Sequence, residues 1–473
     1  MLLLSSFSLT NLQFSNIFMT LVELTQQLAD MAWGPHMLIL LVGGGLFFLI
    51  YSRFVPFRYI GHAINIVRGK YPDDGAEGHI SHAGALSSAM AGTVGMGNIG
   101  SVAVAIMVGG PGAIFWMWIS AIVGMATKFF TCTLAIMYRG KDENGDVQGG
   151  PMYIITQGLA KKWHFLAVFF CVVGLVGNFP LFNSNQLVQI IREWLIVKPG
   201  YFPSDQSTFM VDLGLGIIVM LIVASVILGG IKRIATVASK IVPLMIFIYM
   251  SCAFYVIATN LADIPGYFAL IFTEAFSLNS VGGGILGTML IGIRRAAFSN
   301  EAGIGTEVMA HGSAKTNEPV KEGLVAMLGP AIDTLMVCTA TAMIILISGV
   351  WQGTESEGVN LSAQAFSVTM PGVGPYLLIL CVVFFSISTI FTQAFYGGQC
   401  FAFLFGRRHI RFYQYFYLLA ILFAATASLQ EIVNIIDAAY ALMAIPTMTS
   451  AILLAPKVRE ASKKYFAKLA AVN

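Results

Sequence analysis

Arg294, Arg295, Glu301 and Glu307 are four ionisable residues in an otherwise apolar stretch of about 284–310, with Phe298, Ser299 and Asn300 between them. A charge at the centre of a bilayer costs at least about 2.5–3.5 kcal/mol on insertion scales, so such groups pair, face water or line a functional cavity. A second stretch has the opposite character. Ala91-Gly92-Thr93-Val94-Gly95-Met96-Gly97-Asn98-Ile99-Gly100 lies in an apolar run of about 83–109 and carries no charge. Each glycine costs a helix about 1 kcal/mol relative to alanine. Clustered beside Thr93 and Asn98, the glycines suggest an interrupted helix; close helix packing through small residues is the other reading. For 284–310 the alternative is a span that ends near Ala297 and opens into a cytoplasmic loop. Arg294 follows the preceding bare loop too soon for a full crossing, which favours a discontinuous helix there as well. In lipid, the N–H and C=O groups freed by a break cost several kcal/mol each unless protein, water or a solute satisfies them. Half-helix N-termini favour a carboxylate, and freed carbonyls favour a cation. Two such breaks suit a zwitterionic solute travelling with a cation.

The elements that must position these residues are membrane helices. The 473 residues are 57% hydrophobic and only 10% charged, against about 25% charged in soluble domains. Hydropathy marks eleven spans, at about 34–53, 83–109, 112–137, 164–190, 212–230, 237–258, 284–310, 322–349, 375–404, 412–429 and 431–455. Gly109-Gly110-Pro111-Gly112 makes a tight turn between the second and third, and 266–280 reads as a short surface helix or re-entrant piece. Lysine and arginine fall in alternate loops: Arg53 to Lys70, Arg139 to Lys162, Lys232 and Arg233, Lys315 and Lys321, Arg407 to Arg411, and the C-terminal tail. Only Arg192 and Lys198 break the alternation. The positive-inside rule then puts the N-terminal tail (1–33) outside and the tail at 456–473 in the cytoplasm, which needs an odd number of spans.

The two interrupted spans stand at the heads of matching halves. Residues 83–258 form a first five-helix unit, 284–455 a second of inverted orientation, and the span at 34–53 is an extra helix in front. Inverted repeats headed by interrupted helices point to a midplane site in a secondary transporter. Other polar residues within the spans are read individually. Lys128 is taken to snorkel towards the interface, and Asp437 to be interfacial. Asp333 either pairs with an arginine or lines a pathway. Ser386, Ser388, Thr389, Thr392 and Gln393 form a polar patch in the ninth span.

Several function classes are not supported. No Walker loop, nucleic-acid motif or basic tail is present, so neither ATP-driven transport nor a nucleic-acid partner is indicated. No HExxH, GxSxG or pair of facing aspartates suggests an intramembrane enzyme, and no repeated filter sequence suggests a channel. The six cysteines sit in apolar stretches without a CxxC pair and read as buried thiols. The first thirty residues lack a basic n-region, so no secretory signal is read there.

The residues that carry this reading also match a known family. Gly92-Thr93-Val94-Gly95-Met96-Gly97-Asn98-Ile99, Gly109-Gly110-Pro111-Gly112-Ala113-Ile114-Phe115-Trp116-Met117-Trp118 and Gly149-Gly150-Pro151-Met152-Tyr153 resemble the alanine or glycine:cation symporters, also called sodium:alanine symporters. So do Phe298-Ser299-Asn300-Glu301-Ala302-Gly303, Ala314-Lys315-Thr316, Ile332-Asp333-Thr334 and Ser388-Thr389. The resemblance runs from about Trp33 to Lys457. It implies an all-α membrane protein of the leucine-transporter type, a 5+5 inverted repeat with one extra N-terminal transmembrane helix. It implies a symporter that imports a small neutral amino acid, alanine or glycine, with sodium by alternating access. Sodium is the coupling ion, with no further cofactor. The bilayer is the surroundings, in a bacterial inner membrane, and no obligate protein partner is evident. Gly95, Met96 and Gly97 would present N–H groups to the carboxylate. Thr93 and Asn98 would lie beside substrate or sodium, and Phe298, Ser299 and Asn300 at the second break, with Ser299 and Asn300 at the amino end. A sodium ion would sit between the carbonyls of Ala91 and Val94 and the hydroxyls of Ser388 and Thr389. Two departures bear on specificity and coupling. Thr392-Gln393-Ala394-Phe395-Tyr396-Gly397 stands where many relatives have Gly-Trp-Ser-Tyr-Tyr-Gly, so Gln393 admits a larger or amide-bearing amino acid such as glutamine. Thr306-Glu307 replaces a small residue followed by Ala-Pro, which keeps proton coupling through Glu301, Glu307 or Asp333 open.

Overall fold

A chain that must satisfy every backbone group within lipid does so as helix. The structure, a computed structural model, describes residues 23–71, 75–143, 145–199, 201, 207–278, 283–353, 358–426 and 430–472. Among these, eight helices are long and apolar enough to cross a membrane. They are α1 (Glu23–Tyr51), α4 (Ala113–Met137), α6 (Lys161–Val197), α7 (Phe209–Ile227), α8 (Gly230–Thr259), α12 (Pro319–Ser348), α14 (Gly374–Phe405) and the Asn434–Ala471 portion of α16 (Gln430–Val472). A ninth crossing is the bent pair α2 (His82–Thr93) and α3 (Gly97–Gly109), whose axes turn by 52° at the break. Further helices include α5 (Pro151–Gly158), α9 (Ile264–Ala275), α10 (Gly284–Asn300), α11 (Thr306–His311), α13 (Gly358–Thr369) and α15 (Ile410–Thr426), with two short ones at Val55–Arg58 and Ile60–Val67. Two of the eleven expected spans are therefore shorter than a full crossing over the described residues. The one at 284–310 divides into α10, of 17 residues, and α11, of 6. The one at 412–429 is α15, also 17 residues, and residues 427–429 lie outside the described part.

The terminal boundaries also differ from the sequence reading. Residues 23–32 are already helical, so α1 begins inside the expected tail and is only interrupted near Gly34. At the other end α16 continues as helix to Val472 instead of ending near 455. Its extension packs back on the protein, with Tyr465 Oη 2.7 Å from His62 Nε2 and the Phe466 ring stacked on Tyr59. One antiparallel pair of two-residue strands, β1 (Gly140–Lys141) and β2 (Val147–Gln148), lies in the loop after α4.

The packing brings the two interrupted spans together. α4 runs between them, and α10 lies against it so closely that a Cβ on Gly292 would strike the Ala113 carbonyl. α9 is the short surface helix expected at 266–280. It covers the Gly109–Gly112 turn and accepts a hydrogen bond at the Ala275 carbonyl from Trp116 Nε1, 3.2 Å. On the side read as cytoplasmic, the start of α2 is clasped to the residues after α11. His79 N donates to Ser313 O at 2.8 Å and Lys315 N to Ile80 O at 2.6 Å. His82 and His311 both meet the buried Glu322 carboxylate at the head of α12, His311 at 2.5 Å. All six cysteines are free and buried.

Candidate functional site

Between the two breaks lies a small cavity of about 20 Å³. Its walls come from both halves of the chain. The first break supplies Gly92, Thr93, Gly95, Met96 and Gly97, and the second supplies Phe298 and Glu301. α14 adds Thr389 and Gln393, α6 adds Phe182 and Asn183, and α16 adds Ile436 and Tyr440.

The local sequence explains why the chain passes so near itself here. α2 ends at Thr93, and Val94 leaves the helical region at φ −73°, ψ 89°. A Cβ on Gly95 would lie 2.5 Å from Thr389 Oγ1, so only glycine lets the break approach α14 this closely. A Cβ on Gly97 would lie 3.3 Å from the Phe298 carbonyl, so the two breaks touch. Helix resumes at Gly97, and its first N–H groups have no intrahelical acceptor. The other break is built differently. α10 ends at Glu301 in the left-handed region, φ 55°, and Gly303 (88°) and Gly305 (100°) follow before α11 begins. Glu301 is one of three non-glycine residues with positive φ among the described residues, a conformation that costs energy and that the surroundings must impose.

The groups that lipid cannot satisfy are met mainly by hydroxyls. Thr389 Oγ1 donates to Ala91 O at 3.1 Å, Thr341 Oγ1 to Asn98 O at 2.8 Å and Ser362 Oγ to Ile99 O at 3.1 Å. At the second break Thr447 Oγ1 donates to Ile304 O at 2.9 Å. A chain of side chains then crosses the cavity wall. Asn183 Nδ2 donates to Gln393 Oε1 (3.1 Å), Gln393 Nε2 to Tyr440 Oη (3.1 Å), and Tyr440 Oη to Glu301 Oε1 (3.3 Å). Thr306 donates to the other Glu301 oxygen.

Of the expected substrate residues, the structure brings Thr93, Gly95, Met96, Gly97, Phe298 and Gln393 to the cavity. Asn98, Ser299 and Asn300 do not line it. They belong to a buried cluster behind the first break, centred on Asp333. Asn98 Nδ2 and Ser299 Oγ each donate to an Asp333 carboxylate oxygen at 2.7 Å, and Thr334 Oγ1 donates to it at 2.9 Å. Gly95 N donates to Asn98 Oδ1 at 2.8 Å, and Asn300 Nδ2 to Thr334 Oγ1 at 3.0 Å. Asp333 therefore bonds to amide and hydroxyl groups and not to an arginine. Of the four expected sodium ligands, Thr389 meets Ala91 directly. Ser388 is one turn from Phe385, whose carbonyl it bonds at 3.0 Å, and Val94 is fully buried beside them.

The remaining charges are sorted by partner. Arg294 holds Asp437 (2.8 Å) and Asp30 (3.1 Å), and Arg295 lies 3.5 Å from the same Asp437 oxygen. Asp437 is 1% exposed and its carbonyl accepts from Trp33 Nε1 at 2.8 Å, so it is a buried ion-pair partner. Lys128 is 2% exposed and does not snorkel; Gly329 lies beside its ammonium and leaves room for it. Glu307 is fully buried, and neither carboxylate oxygen has a hydrogen-bond partner among the described residues. The sequence reading had not singled out Phe182, Asn183, Ile436 or Tyr440. Asn183-Ser184-Asn185-Gln186 is a polar run inside an apolar span and was a usable signal for the second.

Known proteins resemble the chain along nearly its whole length. Residues 18–472 match the family model described as the sodium:alanine symporter family. The chain is 37% identical over 454 residues to the sodium/alanine symporter AgcS of Methanococcus maripaludis, covering 94% of this chain and 98% of that one. It is 34% identical over 438 residues to the probable sodium/glutamine symporter GlnT of Bacillus subtilis, covering 92% and 89%. Among solved structures it is similar to MhsT in complex with L-phenylalanine, with a TM-score of 0.60 at 13% identity over 80% of this chain and 90% of that one. That likeness shows the leucine-transporter fold.

Proposed function

The chain belongs to the sodium:alanine symporter family and is a multi-pass membrane transporter of amino acids, and from that premise we propose that it imports alanine or glycine together with sodium. The observation that carries this reading is the cavity between the breaks, with the Thr389 hydroxyl set against the Ala91 carbonyl at its edge. The N–H groups at the head of α3 take the substrate carboxylate. Ala91, Val94, Ser388 and Thr389 offer sodium oxygen ligands without a carboxylate, which spares the cost of burying another charge. The first unit, 83–258, and the second, 284–455, rock about this site. The clasp at Glu322 closes the cytoplasmic side and the Arg294–Asp437 pair closes the other, with the N-terminus outside.

Two observations favour neighbouring readings. The carboxamides of Asn183 and Gln393 line the cavity, and a relative at 34% identity is described as a glutamine symporter, which supports an amide substrate. Glu307, a buried carboxylate whose oxygens have no hydrogen-bond partner among the described residues, supports proton coupling. Purified protein in proteoliposomes separates all three. Alanine, glycine and glutamine uptake is measured under an imposed sodium gradient and, separately, a proton gradient. Accumulation of alanine or glycine driven by sodium alone is the expected result. Glutamine accumulation moves the reading to the amide substrate, and accumulation driven only by protons replaces the coupling ion.

A further inference from the structure

We infer that Glu301 is the anchor for the substrate's α-ammonium group, a specificity role that rests on the amino-acid transport reading above. Glu301 lines the cavity whose opposite wall is the uncharged first break, and it is 2% exposed. A buried carboxylate needs a counter-charge or it is strongly disfavoured. Its bonded partners, the hydroxyls of Thr306 and Tyr440, are neutral. Among the described residues no cation forms an ion pair with it. The Lys128 ammonium acts on it electrostatically, but that single charge also serves Glu307 and Asp333. Lys128 is one ammonium among three buried carboxylates, so Glu301 has no counter-charge of its own, and the cavity it lines is where a mobile cation can enter.

The surroundings favour an ammonium. The Phe298 ring lies 5.4 Å from Tyr440 and 5.4 Å from Phe182, so aromatic rings line the same cavity as the carboxylate, and aromatic faces attract cations. The left-handed φ at Glu301 is a strain placed at the residue that turns from α10 into the cavity. Ser299 and Asn300, the residues first expected at the amino end, are bonded to Asp333 and Thr334 instead. An amino acid laid between the head of α3 and Glu301 would have its carboxylate at the positive pole and its ammonium at the negative one.

The test compares alanine with lactate, which carries a hydroxyl in place of the ammonium. Competition against radiolabelled alanine uptake is measured in proteoliposomes for wild type, Glu301→Gln and Glu301→Asp. Glu301→Gln is expected to weaken alanine by roughly thirtyfold or more, as for truncation of one partner of a buried charge pair. Lactate should be unchanged or improved, and Glu301→Asp should recover part of the alanine affinity. Equal shifts for alanine and lactate, or no shift, would overturn the assignment. A second measurement needs no variant: dicyclohexylcarbodiimide labelling of wild-type Glu301, mapped by mass spectrometry, should be blocked by alanine and not by lactate. Labelling that alanine leaves untouched would also overturn it. If wild type accumulates no amino acid at all, the transport reading fails, an outcome distinct from either of these.

Discussion

The two breaks do the same mechanical job with opposite chemistry. Ala91–Gly100 contains no ionisable residue and is shaped by glycines that let it touch Thr389 and Phe298. Arg294–Glu307 carries formal charge and reaches its turn through a strained glutamate and two glycines with positive φ. The difference follows from what each end must hold. Backbone dipoles bind a carboxylate or a sodium ion with no buried charge to stabilise when the site is empty. A fixed carboxylate imposes that burden, and is worth it only where the cargo brings an opposite charge. On the proposed reading the uncharged break serves two ligands and the charged break one.

The largest effect should come from filling the uncharged break. Gly97→Leu puts a side chain where the backbone of Phe298 already lies 3.3 Å from a Cβ position, in the space the carboxylate needs. Alanine uptake should fall to background while membrane insertion, checked by immunoblot of isolated membranes, persists. Uptake at the wild-type rate would move the substrate away from this break. A smaller effect should follow from removing the hydroxyls that face it. Ser388→Ala with Thr389→Ala should raise the sodium concentration for half-maximal uptake roughly tenfold, if about 1.4 kcal/mol of ion binding is lost. Thr389→Ala alone should account for most of the change, because Thr389 is the hydroxyl that meets Ala91. Superimposable sodium curves would transfer the ion to the Asp333 cluster. The smallest effect should come from the wall joining the breaks. Gln393→Trp removes the amide between Asn183 and Tyr440 and should narrow selectivity towards alanine and glycine within about tenfold. An unchanged competition profile across glycine, alanine and glutamine would sink that role.

Both breaks were legible in the sequence because each violates what a lipid-spanning helix tolerates, one by glycine and one by charge. Thr93, Gly95, Met96, Gly97, Phe298 and Gln393 were legible with them. The rest depended on partners distant in the chain. The pairing of Asp437 with Arg294, on another helix, could not be read from the sequence. Lys128 reads as a snorkelling residue until the space beside Gly329 is known. Tyr440 and Phe182 are ordinary aromatics in apolar spans, and only the crossing of α6 and α16 over the breaks makes them cavity walls. The eleven-span count comes from hydropathy and fits the alternation of basic loops, whereas α10 and α15 are 17 residues each over the described part. A break near the end of α10 shortens the uninterrupted helix without removing the crossing that charge placement requires.

The central claim is that one uncharged break holds amino acid and sodium together, so their binding energies are linked. Alanine binding to purified wild type, measured by scintillation proximity across a range of sodium concentrations, tests this most directly. Linkage requires that sodium tighten alanine binding by the same factor by which alanine lowers the half-saturating sodium concentration. The account predicts equal factors well above one in wild type, shrinking towards one in the Ser388→Ala, Thr389→Ala variant. Alanine binding of the same strength with and without sodium would contradict it.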